Sequence, residues 1–451
     1  MRNLRLNVLS SVIGAALAVA AGTVSAQTAD LLSLYREATR QDPAVAAAEA
    51  SLQAARERLS QAEAANGLSA TLSASASANY GDSRVRGLPS SLGQVDRGYL
   101  NGSVTAQVTK PLIRSSIKVG IEQARAGVSL SEISVASAKQ DLATRVAQAY
   151  FDVLLAQDNV TLVGAQKAAV GEQLAQAKRN FEVGTATIVD TNEAQARYDQ
   201  VLAQEIAANN ELDRTRWALR NTVGRFEASI AGLKPAIMID APQPTNMEAW
   251  VTRAERDAFG VRLAQQSLAV TEFDVKRAQT GKDWTLDASA SATHGQNTGS
   301  LASSRGGFST TGLVGVNFQM PFDISGAVDA RIREAISNVE KARNDVESAR
   351  RTAALGVRQT YLGVTSGIAS VAAQQQALKS AETLLASTKL GLEVGVRTNL
   401  DVLNAQQTLT QVQRDLAQAR YNAILNRLRL EAAAGDLNED DIRRTNEYLG
   451  R

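Results

Sequence analysis

Two short segments that share one pattern of glycine, threonine and aspartate are the most chemically suggestive feature of the sequence. The pattern Glu-Val-Gly-x-x-Thr-x-x-Asp occurs at 182–190 and again at 393–401. A threonine followed three residues later by an acid is typical of a capping box, in which both side chains bind free backbone N–H groups where a helix begins. The pattern therefore predicts two helix starts, with these threonine–aspartate pairs: Thr187 with Asp190, and Thr398 with Asp401. The preceding Gly184 and Gly395 favour tight turns that a Cβ would strain.

The residues that usually carry catalysis or bind metals are scarce. The 451 residues include no cysteine and a single histidine, His294. This composition excludes thiol catalysis, disulfides, iron–sulfur clusters, cysteine-bound zinc and multi-histidine metal sites. Since no nucleophile–base pair stands out either, we expect no catalytic residue, no metal site and no cofactor, and hence no enzyme.

Residues 1–26 have the pattern of a secretory signal peptide. Arg2 and Arg5 precede an apolar stretch, and small residues end at Ala26, after which we place cleavage. An uncleaved inner-membrane anchor is the alternative. Removing these residues leaves 46 basic and 46 acidic side chains, because the chain has 48 and 46 and the segment holds two arginines and no acid. A neutral chain has no bulk attraction for nucleic acid, which we do not expect as a partner.

The chain contains an internal duplication. Residues 181–224 and 392–435 align without gaps at an offset of 211, with 13 identities in 44 positions. Such self-similarity indicates two structural repeats. The resulting domain prediction is a signal peptide (1–26), a first repeat (27–224), a linker or equatorial segment (225–245), a second repeat (246–435) and a C-terminal tail (436–451).

Each repeat begins with a helix and continues with strands. Asp42 before Pro43 predicts a helix start, and a continuous helix is expected from Met247 to about Thr280. Alternating polar and apolar residues then predict four strands of about ten residues, at 68–80, 100–109, 284–293 and 314–320, with polar loops at 81–98 and 294–310. His294 falls in the second loop. Strands of this length and alternation are typical of membrane β-barrels; the alternative is a half-buried hairpin of a soluble domain.

A pair of long helices follows the strands in each repeat. The proline-free stretches 113–182 and 324–393 would each form about 100 Å of helix, at 1.5 Å per residue. Turns at 183–187 and 394–398 then reverse the chain into return helices. The predicted fold class is an α+β membrane protein. Because four strands cannot close a barrel in lipid, two or three chains would have to combine their strands, and a water-filled interior favours more strands than eight.

Several motifs resemble those of the TolC-type outer-membrane efflux and secretion channels. The matching segments are Ala149–Leu154, Phe181–Asp190, Val394–Ala405 and Ala419–Asn422. The resemblance implies a homotrimer in the bacterial outer membrane, with a 12-strand β-barrel and an α-helical barrel that extends into the periplasm. It also implies an exit duct for type I protein secretion or drug efflux. The implied partners are a periplasmic adaptor and an inner-membrane ABC or proton-driven transporter.

The resemblance further assigns roles near the two turns. Asp401 matches a position whose carboxylates ring the periplasmic entrance, and Asn404 matches a second acidic position, so this chain would have one charged ring. Asp190 and Arg397 match positions that link neighbouring hairpins in the closed state. The turn residues that would shape the tips for adaptor docking are Gly184, Thr187, Gly395 and Thr398.

Other interpretations remain open from the sequence. Asp190 and Asp401 could serve as helix caps alone. The whole chain could instead be a trimeric coiled-coil surface protein or adhesin without channel activity, or a soluble periplasmic scaffold. The tandem duplication with two hairpin turns favours the channel over both.

Overall fold

The computed structural model describes residues 29–84, 86, 94–224, 229–234, 237–300 and 305–450. The predicted signal peptide lies outside them. The elements of the first repeat are α1 (Leu31–Gln41), α2 (Pro43–Ala64), β1 (Ser69–Arg84), β2 (Gln94–Ile113), α3 (Ser115–Glu182) and α4 (Ile188–Val223). Those of the second are α5 (Met247–Asp257), α6 (Phe259–Gln279), β3 (Thr285–Asn297), β4 (Gly307–Gln319), α7 (Ala327–Glu393) and α8 (Asn399–Ala433). A short helix, α9 (Glu439–Asn446), lies in the tail. The elements follow in the same order in both halves, as expected for two structural repeats.

The helices that precede the strands are broken in both repeats. Asp42 caps α2 as predicted, because its Oδ1 accepts hydrogen bonds of 2.9 Å from the backbone N–H groups of Ala44 and Val45. The continuous helix predicted from Met247 is wrong, since the backbone of Ala258 is extended (φ −56°, ψ 134°) and separates α5 from α6. Ala258 has no capping side chain and is buried against other apolar residues. The break is therefore set by tertiary packing, and the local sequence gives no sign of it.

The four strands form one antiparallel sheet in the order β1-β2-β3-β4. All four exceed their predicted lengths: β1 reaches Arg84 and β4 begins at Gly307. The loop position predicted for His294 is also wrong, because it lies in β3 opposite Thr310, with 2.8 Å between its Nδ1 and the threonine Oγ1. Backbone pairing continues there although the apolar alternation has ended, which is why the pattern underestimated the strands.

The two faces of the sheet differ in polarity, as the alternation predicted. On one face hydroxyl groups meet across strands: Ser75 and Ser103 are 2.9 Å apart, and Thr105 and Thr293 are 3.0 Å apart. The other face exposes large apolar side chains, including Leu72, Val314 and Phe318. Strands β1 and β4 are the two edges of the sheet, and within the described ranges neither pairs with a further strand. The sheet is thus open and amphipathic.

The main core lies partway along the two helical hairpins. Tyr150, Phe151 and Tyr421 are buried there, and the ring centroids of Phe151 and Tyr421 are 5.8 Å apart. The Tyr150 hydroxyl donates to the carbonyl of Ala231 in the linker at 2.6 Å. The linker also contacts the tail, where the N–H of Gly450 donates to the carbonyl of Gly232 at 2.8 Å. Linker and tail are therefore packed together around the hairpins.

In the part of the chain that the structure describes, none of the helices is both long enough and apolar enough to cross a membrane.

Candidate channel entrance

The two hairpin tips have nearly the same backbone. Gly184 and Gly395 take φ values of 79° and 78°, in the left-handed region where a Cβ is strained. Their N–H groups donate to the carbonyls of Phe181 (3.0 Å) and Leu392 (3.1 Å), which closes the end of each long helix. The prediction of tight glycine turns is confirmed at both positions.

Both return helices begin with the predicted capping box. In the first, Asp190 Oδ2 accepts from the N–H of Thr187 at 2.8 Å, and the Thr187 Oγ1 accepts from the N–H of Asp190 at 3.3 Å. In the second, the corresponding distances between Thr398 and Asp401 are 2.9 Å and 3.2 Å. Helix capping by both aspartates is confirmed. Helix capping is compatible with the predicted roles of both aspartates at the channel entrance.

The caps also fix the charge of the two carboxylates. Hydrogen bonds from the Thr187 hydroxyl and, to a smaller extent, from the Thr187 N–H lower the pKa of Asp190 below its ordinary 3.8. The Thr398 N–H, then its hydroxyl and, more weakly, the Arg397 guanidinium lower the pKa of Asp401. Since hydrogen bonds to a carboxylate favour its ionised form, both aspartates carry a full negative charge at neutral pH.

Arg397 lies against the end of α7. Its N–H donates to the carbonyl of Gly391 at 3.0 Å, and a Cβ on Gly391 would lie 2.7 Å from the Arg397 Cγ. The side-chain stem therefore occupies the space that this glycine leaves. Among the described residues of one chain, no ion pair joins Arg397 to Asp190, so the predicted link would have to form between chains.

Arg197 is a site residue that the sequence analysis missed. Its Nη2 donates to Asn404 Oδ1 at 3.0 Å, which connects the return helix of the first hairpin to that of the second. Its Nη1 donates to Gln200 at 3.0 Å. Arg197 is two helical turns beyond Asp190, on the same face of α4, and that spacing was the available signal. Asn404 is thus held by a neighbouring cation.

A groove of about 630 Å³ separates the two tips. It is lined by residues of both hairpins, among them Gln173, Asp190, Lys389, Glu393 and Thr398. Next to it, Val183 and Val396 are 73% and 74% exposed. Within the described ranges no group of three or more His, Asp or Glu side chains is arranged to hold a metal.

An open amphipathic sheet joined to two long helical hairpins is the architecture of an outer-membrane efflux channel. The chain belongs to the outer membrane efflux protein family, whose model matches residues 34–225 and 254–436. The predicted family, fold class and outer-membrane location are confirmed, and the match favours a channel over the coiled-coil adhesin.

Individual relatives agree with this assignment. The chain is 30% identical over 437 residues to the outer membrane protein TolC of Escherichia coli, a match covering 94% of this chain and 86% of the relative. It is also 30% identical over 353 residues to the alkaline protease secretion protein AprF of Pseudomonas aeruginosa, covering 77% and 72%. Among solved structures, the CmeC outer membrane channel of Campylobacter jejuni superposes with a TM-score of 0.76 at 16% identity, covering 93% of this chain and 90% of that one.

Proposed function

We propose that three copies of this chain form the exit duct of a tripartite export system, through which substrates leave the cell by type I secretion or drug efflux. A periplasmic adaptor and an inner-membrane ABC or proton-driven transporter would supply the substrates. The observation that carries this proposal is the sheet, attached to hairpins that end in exposed tips. Among the residues that the structure describes, both edges of this sheet are unpaired and one of its faces is apolar and exposed. The secretion role named for the relative AprF supports protein as one class of substrate.

The edges of the sheet are the argument for a trimer. In lipid, unpaired backbone groups at β1 and β4 would each cost several kcal/mol, so the sheet has to be closed by other chains. Two chains would give eight strands, whose interior is filled by side chains. Three chains give twelve, which leaves a lumen lined by the polar face with Ser103 and Thr293.

The entrance would lie at the hairpin tips. Three-fold symmetry turns Asp401 into a ring of three carboxylates, which the capping geometry keeps ionised and close to the turn. Such a ring attracts cations. Asn404, one turn further along α8, adds no charge, and Arg197 beside it supplies a positive one. We propose that Asp190 and Arg397 of adjacent chains form the closed-state link.

The tips themselves would dock the adaptor. The exposed Val183 and Val396 offer apolar contact area there, and turns at Gly184 and Gly395, capped by Thr187 and Thr398, hold that surface in one shape. A rigid apolar tip favours binding because little conformational entropy is lost on docking.

Mass and conductance of the purified protein test the proposal. Detergent-solubilised protein is expected to have the mass of three chains, and planar bilayers containing it are expected to show discrete ion-conducting steps. A monomer or dimer would contradict the architecture. A trimer that leaves the bilayer non-conducting when the tips are opened by Arg397→Ser would contradict the duct.

A further inference from the structure

A second groove, far from the tips, lies directly below the sheet. It has a volume of about 620 Å³, within the range of ordinary ligand sites. Its walls are α2, the start of α3 and the end of α6. The small residues Ala62, Gly120 and Ala124 leave room, and three arginines supply the only charges of the lining: Arg58, Arg114 and Arg277.

We call this groove, lined by Arg58, Arg114 and Arg277, the arginine groove. The position of Asp287 shows on which side of the sheet it opens. Arg114 forms an ion pair with Asp287. Asp287 is in β3, six residues before Thr293, and residues separated by an even number in a strand share a face. Thr293 belongs to the hydroxyl-rich face, where it meets Thr105. The arginine groove therefore opens on the polar side of the sheet, which is the channel side in the proposed trimer.

The arginines are only partly neutralised. Arg114 has Asp287 as its partner, but its buried Nε–H donates to no acceptor in the part of the chain that the structure describes. Arg277 donates to Gln123 Oε1 at 3.5 Å, its one hydrogen bond within the described ranges, while Gln123 donates to Asp274 at 2.6 Å. Among the described residues, no carboxylate forms an ion pair with Arg58 or Arg277, so the groove retains a net positive charge.

The opposite side of the same helix pair has a different arrangement. There every arginine faces an acid: Arg56 lies 3.7 Å from Glu132, and Arg125 lies 3.5 Å from Glu63. Arg56 and Arg58 are two residues apart on α2, so their side chains point about 200° away from each other. The unpaired arginines are thus confined to one side of the wall.

We propose that the arginine groove is a binding site for anionic groups, phosphate or carboxylate, of solutes inside the duct. Guanidinium groups bind both with charge-assisted hydrogen bonds. Three-fold symmetry would place nine arginines around the lumen just below the membrane, so the duct would pass from an anionic entrance at Asp401 to a cationic zone. This inference rests on the proposed channel function.

Block of the channel by inorganic tripolyphosphate tests the site. Added to the side of the bilayer opposite the tips, tripolyphosphate is expected to block current in the unmodified channel. The variant Arg58→Gln/Arg277→Gln is expected to weaken the block on the order of tenfold, since two of the three cations are lost in each chain. Arg114 is kept because it pairs with Asp287. The matched control is Arg56→Gln, on the other side of α2, which should leave the block unchanged.

Three outcomes would overturn the site: a conducting channel that tripolyphosphate does not block, equal block in the double variant, or equal weakening in Arg56→Gln. Repeating the measurement with phosphatidylglycerol in the bilayer separates soluble anions from lipid headgroups. If phosphatidylglycerol weakens the block in the unmodified channel but not in the Arg58→Gln/Arg277→Gln variant, the groove lies against lipid. Calorimetric titration of detergent-solubilised protein with tripolyphosphate reports the site without conduction, so a non-conducting protein that still binds would contradict only the duct.

Discussion

The two repeats are alike at their hairpin tips and different where their return helices end. At the tips, Gly184 and Gly395 differ by 1° in φ, and both helices start with a threonine–aspartate capping box. At the other end, Gly224 and Gly435 again occupy equivalent positions with positive φ, at 90° and 77°. Each lies against the last residue of the first helix of its repeat, Gln41 or Asp257, but the contact itself differs.

A Cβ placed on each of these two glycines shows the difference. On Gly435 it would lie 2.3 Å from the backbone carbonyl oxygen of Asp257, at the break between α5 and α6. On Gly224 it would lie 2.3 Å from the side-chain Oε1 of Gln41, which can move. Duplication has preserved the local backbone of the turns. The helix ends differ, because Gly224 itself caps α4 (φ 90°, ψ −128°), whereas Ala434 caps α8 in the α conformation and Gly435 follows it. The packing around the helix ends has diverged too, since the first repeat presents a side chain to its glycine and the second presents backbone.

The largest expected effect is that of Gly435→Ala. A positive φ costs a residue with a Cβ about 1–2 kcal/mol, and displacing the Asp257 backbone adds about 1–3 kcal/mol. Gly224→Ala should avoid the second contribution, because Gln41 can rotate away, and should lose only about 1–3 kcal/mol through its backbone conformation (φ 90°, ψ −128°). Urea unfolding of the detergent-solubilised variants measures both. Equal destabilisation would show that the two helix ends are packed alike after all.

The pH dependence of stability should separate the repeats as well. Burial, then the carboxylate of Asp441, raises the pKa of Glu431 to about 7, while Arg427, 3.7 Å away, and Arg444 oppose the shift. A folded-state pKa above the ordinary 4.5 means that this contribution to stability is present below pH 4.5 and is lost as the pH rises towards 7. The first repeat has Arg220 at the equivalent position.

We therefore expect Glu431→Gln to stabilise the protein above pH 7, by about 1–3 kcal/mol, and to leave it unchanged below pH 4.5. Glu347→Gln, on the exposed surface of α7, is the matched control and should show no such difference. Thermal unfolding at pH 4 and pH 8 measures it. A stabilisation of equal size at both pH values would mean that the titration of Glu431 is not the cause.

Asp401→Ala and Asp190→Ala compare the two tips directly. Both variants lose a helix cap, but only Asp401 is proposed to ring the entrance. Block by divalent or trivalent cations from the periplasmic side should weaken about tenfold in Asp401→Ala and much less in Asp190→Ala. In the unmodified channel the block should also fade in acid as the Asp401 carboxylates become protonated, at a lower pH than for an ordinary aspartate because the helix cap lowers the pKa of Asp401. Equal effects of both variants in single-channel recordings would reduce Asp401 to a helix cap.

Arg197 sharpens this comparison. Asn404→Asp should add a second ring of carboxylates and strengthen cation block, but only slightly, because the Arg197 guanidinium lies 3.0 Å from the Asn404 oxygen. Combining it with Arg197→Gln should give a several-fold stronger block, since the neutralising charge is removed. Arg197→Gln alone serves as the control in the same recordings. If the double variant is blocked no more strongly than Asn404→Asp, then Arg197 does not screen the entrance.

The smallest effect is expected at the tip glycines. A Cβ on Gly184 or Gly395 would have no atom within 4 Å, so Gly184→Val and Gly395→Val should lose only about 1–2 kcal/mol through their positive φ. Both variants should insert into the outer membrane and export less, because the altered tip docks the adaptor poorly. Export assays with matched surface levels measure this. Normal export by both variants would exclude the tips as the docking end.

The local chemistry of the chain was open to prediction because it depends on neighbours in sequence. A capping box joins residues three apart, and the alternation of Ser, Thr and apolar residues defines the two faces of a strand without reference to other elements. Asp190, Asp401, Gly184 and Gly395 therefore occupy the predicted helix starts and turns. The duplication made each of these predictions twice, and the structure shows the same geometry both times.

Features that depend on contacts between distant segments were decided only by the tertiary structure. At the break at Ala258 the backbone of Asp257 packs closely against Gly435, far along the chain, and no local residue signals the break. Arg197 meets Asn404 across 207 residues, and Arg58, Arg114 and Arg277 meet only because the sheet brings three helices together. Sequence periodicity reports which face of an element is apolar. Tertiary packing decides which charged side chains line the same groove. A site can be built from one side chain on each of several elements.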